Sequence, residues 1–138
     1  MIFQAGSNSQ TTTTYKAVLP FYIYAALSFV VLCVMLFFSA GSFGGHYFQP
    51  DILAITHIAT LGWGTMIILG AGHQLIPVLI ESKLYSNLLA YLTFIFVGSG
   101  IPLLVCAFAV FDVGIPMQSG AILINAGLFF FFPVQCIH

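Results

Sequence analysis

The chain has 138 residues, of which two are basic, Lys16 and Lys83, and three are acidic, Asp51, Glu81 and Asp112. Charged residues make up 4% and hydrophobic residues 61%, with a mean hydropathy of +1.13; soluble domains carry roughly a quarter charged residues. So few polar side chains cannot cover a surface in water, so the solvent must be acyl chain, and a net charge of −1 without a basic cluster excludes a nucleic-acid partner.

The first 16 residues, MIFQAGSNSQTTTTYK, are polar and lack the basic segment of a signal peptide, and they read as a flexible tail. A first apolar run covers 17–40, long enough to span a bilayer, with Pro20 in its first turn where proline is tolerated. The stretch GSFGGHYFQPD at 41–51 is a loop by its glycines and its Gln49-Pro50 step. A second run covers 52–80 and closes on Glu81-Ser82-Lys83. A third covers 84–111 and ends at Asp112-Val113-Gly114, and a fourth covers 115–137 with Pro116 at its start. The expected fold is an all-α membrane protein, a bundle of about four transmembrane helices forming one domain over 17–138. The closing FFFFPVQCIH has no polar tail, which leads to the expectation of a fragment or one piece of a larger protein.

Four spans put both termini on one side. Lys16 and the Lys83 turn then share a side, while Asp51 and Asp112 lie in the opposite loops, so the positive-inside rule makes the N-terminus cytoplasmic. The expected location is a bacterial inner membrane. Cys33, Cys106 and Cys136 are odd in number, far apart and set in apolar stretches, so they read as small buried hydrophobes. No CxxC or CxxCH is present to support a zinc knuckle or a covalently held c-type haem.

The second span is unlike the others. Its THIATLGWGTMIILGAGHQLIPVLIES contains two histidines, a tryptophan and four glycines. Histidine within a span faces a bundle interior or a cofactor, and neutral imidazole is a common metal ligand. His57 and His73 are sixteen residues apart, about 24 Å and about 160° on a regular helix, so they cannot hold one metal between them. Thr60, Leu61 and Gly64 share the face of His57, and Gly64 leaves room for a flat macrocycle or a second helix. Gly62, Gly64, Gly70 and Gly72 also suit tight helix packing. Two readings of His57 stand side by side: a haem-iron or metal ligand, or a hydrogen-bonded packing histidine. His73, four residues before Pro77, is a secondary metal candidate. Its plainer reading is an interfacial or cavity-lining group bonding a carbonyl that the proline frees. Trp63 is too deep for an aromatic belt and is read as packed core or cofactor pocket. His46 beside Tyr47 reads as exposed, and His138 is the final residue.

The same stretch resembles the second transmembrane helix of the haem-copper oxidase subunit I superfamily, with Thr56-His57 at the outer start and Gly72-His73-Gln74-Leu75-Ile76-Pro77-Val78-Leu79 at the close. The following ESKLYSNLLAYLTFIF resembles the next loop and helix, and the resemblance covers residues 50–111. It implies that His57 is an axial ligand of a low-spin haem in the outer half of the membrane, matching the orientation given by the lysines. The His57–Pro77 interval is shorter than in conventional oxidases. The later helices that carry the second haem ligand, the high-spin haem ligand and the copper histidines have no counterpart in these residues, and no copper site is visible.

The chain is thus expected to be a haem-binding electron-transfer component of a respiratory chain, holding a b- or a-type haem. It would not be a complete oxidase enzyme by itself, and other membrane subunits or a second copy would supply the second ligand. The alternative is a non-catalytic scaffold or assembly subunit of a larger complex. A small transporter or channel is disfavoured because the spans hold histidines as their only ionisable groups at depth.

Overall fold

The structure is a computed structural model that describes residues 15–79 and 86–136. Residues 1–14 of the expected tail, Glu81, Lys83, His138 and the side chain of Cys136 lie outside the described residues. Four helices, α1 (Tyr15–Phe38), α2 (Pro50–Leu79), α3 (Asn87–Val110) and α4 (Ile115–Cys136), are long and apolar enough to cross a membrane. No strand occurs among the described residues. The chain is an all-α integral membrane protein.

Local chemistry sets the helix ends. Tyr15 and Lys16 already belong to α1, so Pro20 falls in its second turn rather than its first. Gln49 is extended at φ −80° and ψ 145°, as a residue before proline prefers, and Pro50 takes the first helical position of α2. Ser86 caps α3 by accepting the Leu88 N–H at 3.2 Å, which starts that helix later than residue 84. Phe111 ends α3 in the left-handed region at φ 57°, and Asp112 N–H bonds back to the Ala107 carbonyl at 2.9 Å. The Asp112 carboxylate then accepts the Gly114 N–H at 3.0 Å and turns the chain into α4. The rings of Phe48 and Phe111 meet at 6.1 Å. The connections before α2 and after α3, with Asp51 and Asp112, therefore share one end of the bundle.

Lipid tails are as apolar as leucine, so helices in a bilayer associate by close packing rather than by hydrophobic expulsion. The closest pair is α3 with α4, where glycines let backbone meet backbone. A Cβ on Gly100 would sit 2.8 Å from the Gly120 carbonyl, and one on Gly120 would sit 2.9 Å from the Leu104 nitrogen. Between α1 and α2, a Cβ on Gly62 would meet the Ser28 hydroxyl at 2.8 Å and one on Gly70 would meet Phe21 at 3.1 Å. Phe21, Met66, Val97 and Ile101 form the middle of the core. Cys33 and Cys106 lie on the outer surface, not in the interior expected of them. The expectation borrowed a rule from soluble proteins; in lipid an apolar thiol is equally at home outside.

Pro102 interrupts α3 and cannot donate to the carbonyl of Gly98, four residues earlier. The Tyr24 hydroxyl of α1 donates to that carbonyl at 2.8 Å. A backbone acceptor that lipid could not satisfy is thereby satisfied from a neighbouring helix.

Candidate functional site on the second helix

Helix α2 is regular over Pro50–His57 and Met66–Leu79 and π-wound between them, over Ile58–Thr65. In the wide stretch the Thr65 hydroxyl donates to the Thr60 carbonyl, five residues back, at 2.9 Å. Nearby hydroxyls compete with the backbone in the same way. Thr56 donates to the Ile52 carbonyl at 2.8 Å and Thr60 to the Thr56 carbonyl at 2.8 Å. Gly62 and Gly64 weaken the regular winding further. Wide turns of this kind are rare and are frequent at functional sites.

His57 is the last residue before the wide turns. Its Nδ1 lies 2.7 Å from the Leu53 carbonyl. A carbonyl only accepts, so Nδ1 carries a proton, and in the neutral ring the lone pair is on Nε2. The half-buried ring stacks on Phe108 of α3, with centroids 4.0 Å apart and planes 23° from parallel. A ring nitrogen tied to a carbonyl is how proteins orient a metal-binding histidine. It also satisfies a packing histidine.

The 3.6-residue spacing that grouped Thr60, Leu61 and Gly64 with His57 does not hold through the wide turns. Thr60 is exposed, whereas Leu61 is half-buried and packs against the core. A Cβ on Gly64 would meet only the Ala59 carbonyl of its own helix, at 3.5 Å, so this position opens onto no neighbouring helix. Gly62 and Gly70 touch α1, and a Cβ on Gly72 would meet Phe131 of α4 at 2.7 Å. Three of the four glycines are packing glycines and one is open.

His73 is fully buried inside the bundle. Phe21 of α1 stacks on it at 5.1 Å and Phe131 of α4 meets it edge-on at 4.9 Å. Its Nδ1 bonds the Leu69 carbonyl at 2.7 Å, whereas the carbonyl freed by Pro77 is that of His73 itself. The uneven winding of α2 removes the constant 100° step between the two histidines, and both rings turn towards neighbouring helices. Trp63 is not packed core: it is 42% exposed and lies against Phe29 at 5.4 Å. His46 is exposed, stacks on Tyr47 at 4.6 Å and accepts the Phe48 N–H at 3.3 Å.

A lipid-side cleft of about 340 Å³ between α1 and α3 is lined by Tyr24, Leu27, Ile58, Ile101, Pro102 and Cys106 and does not include His57. Among the described residues, no three His, Cys, Asp or Glu side chains come together as a metal-ligand group. His57 by itself fits single-ligand coordination of a haem iron, through a free Nε2 lone pair on an oriented ring. Phe108 as a partner of His57 carries no local sequence signal, and the wide winding carries only a diffuse one in the threonines and glycines of 56–65. Pro102 did carry one, since a proline in mid-span implies a carbonyl needing a donor.

Fold and site together define an all-α integral membrane protein with two ring-stacked histidines on α2, of which the half-buried His57 lies where the winding changes. Comparison with family models, with curated proteins and with solved structures gives no match.

Proposed function

We propose that the chain is a membrane haem-binding electron-transfer component, built like the N-terminal helices of a haem-copper oxidase subunit I, with His57 as an axial ligand. The observation that carries this reading is the His57 ring itself. Leu53 fixes its tautomer, Phe108 fixes its plane, and Nε2 is left with a lone pair. When bound, a b- or a-type haem would supply one-electron redox chemistry. The protein's own part is to hold the ring, keep the proton on Nδ1 and exclude water by its lipid setting. A second axial ligand would come from another membrane polypeptide or from a second copy of the chain. The positions of Lys16 and Lys83 favour a cytoplasmic N-terminus with His57 in the outer half, and the oxidase resemblance suits a bacterial inner membrane.

The test is haem content per chain, by pyridine haemochrome assay of protein purified in mild detergent. The proposal expects haem on the parent chain and its loss in His57→Ala. Absence from the parent, or equal content in both, would overturn it. A second reading, a non-catalytic scaffold or assembly subunit, is favoured by the fact that Leu53 and Phe108 already give His57 what a packing histidine needs. Stable co-purification of a haem-free chain with a larger membrane complex would support that reading instead.

A further inference from the structure

Helix α4 packs on α3 through one face only. Gly120, Ile124 and Gly127 are buried, whereas Ile115, Gln118, Ile122, Asn125, Phe129 and Phe132 are exposed. The exposed positions follow spacings of 3, 4, 3, 4 and 3 residues, so they form one continuous stripe along the helix, the geometry a second helix packed at a shallow left-handed angle would use. Asn125 is the anomaly in this seam. It lies ten residues into the 22-residue α4, about 15 Å along the helix, which is mid-depth if α4 spans a hydrocarbon core about 30 Å thick from its first turn. Its Nδ2 bonds the Ala121 carbonyl at 2.8 Å. That uses one N–H, and among the described residues the other N–H and Oδ1 make no bond. Acyl chains offer nothing to either group.

We propose that this seam is an interface, and that its occupant is the α4 of a second copy of the chain. A side-chain amide carries both donor and acceptor, so two Asn125 groups facing each other across a two-fold axis satisfy one another. A parallel pair related by that axis places them at equal depth with no register to be found. Ile122 and Phe129, 67% and 71% exposed, then pack on either side of the amide pair. The interface does not depend on haem binding.

The test is oxidative cross-linking of the full chain in lipid vesicles, in a background where Cys33, Cys106 and Cys136 are replaced by Ala. Ile122→Cys and Phe129→Cys are expected to form disulfide dimers, and Ile95→Cys, on the lipid side of α3, is not. Adding Asn125→Leu is expected to lower the dimer yield roughly three- to tenfold, and Asn125→Gln to restore most of it. Leucine is at home in lipid, and an unchanged helical circular dichroism spectrum verifies that each variant folds. Equal cross-linking at Ile95→Cys, an unchanged yield with Asn125→Leu, or cross-linking of Ile122→Cys in native membranes to a different polypeptide would overturn the proposal.

Discussion

At the scale of single residues, the weight falls on which groups around His57 are already used and which remain open. Leu53 uses Nδ1 and Phe108 covers one ring face, while Gly62 and Gly64, two residues apart, have opposite duties. Gly62 is closed by Ser28, so Gly62→Leu is expected to destabilise the bundle by about 1–3 kcal/mol, read from unfolding in a denaturing-detergent titration. Gly64→Leu faces no neighbour and is expected to leave that titration within about 0.5 kcal/mol of the parent. If haem lies over this stretch, Gly64→Leu also lowers haem content while stability holds. A loss of stability in Gly64→Leu as large as in Gly62→Leu would contradict this assignment. The histidines themselves were legible as the unusual residues of the chain. Their partners were not, because Phe108 lies 51 residues from His57 in sequence and meets it only through the packing of α3 on α2.

At the scale of helices, charge and hydropathy marked four spans whose ends moved by only a few residues once capping was visible. Ser86 and Phe111 decided those ends. Winding was a different matter. A π-wound centre in α2 depends on threonine hydroxyls and glycines acting together, and a constant 100° step misplaces every residue beyond it. The proline in α3 makes a sharper prediction. Tyr24→Phe removes the donor to the Gly98 carbonyl and is expected to cost about 1 kcal/mol. Pro102→Ala returns a helical N–H to that carbonyl, so Tyr24→Phe in the Pro102→Ala background is expected to cost close to nothing. A double-mutant cycle by detergent unfolding measures the difference, and additive effects would show that the bond does not compensate for the proline.

At the scale of the whole molecule, the end shared by Phe48 and Phe111 fixes the alternation of the helices, and the lysines propose which end faces out. In a cysteine-free background, His46→Cys is expected to react with an impermeant maleimide from outside intact cells, and Ser86→Cys only after the membrane is opened. The reverse pattern would invert the orientation and place His57 in the inner half. Fold class was readable from composition because lipid imposes it; packing was not, because in lipid the inward and outward faces of a helix are equally apolar. That is why Cys33, Cys106 and Trp63 proved to lie outside. The proposed role turns on one histidine of the two. The most direct test is the reduced-minus-oxidised difference spectrum of the purified chain, compared with His57→Ala and His73→Phe. The account predicts a haem band that His57→Ala abolishes and that His73→Phe, a ring exchanged within an aromatic box, retains. A band that survives in His57→Ala, or no band in the parent chain, would contradict it.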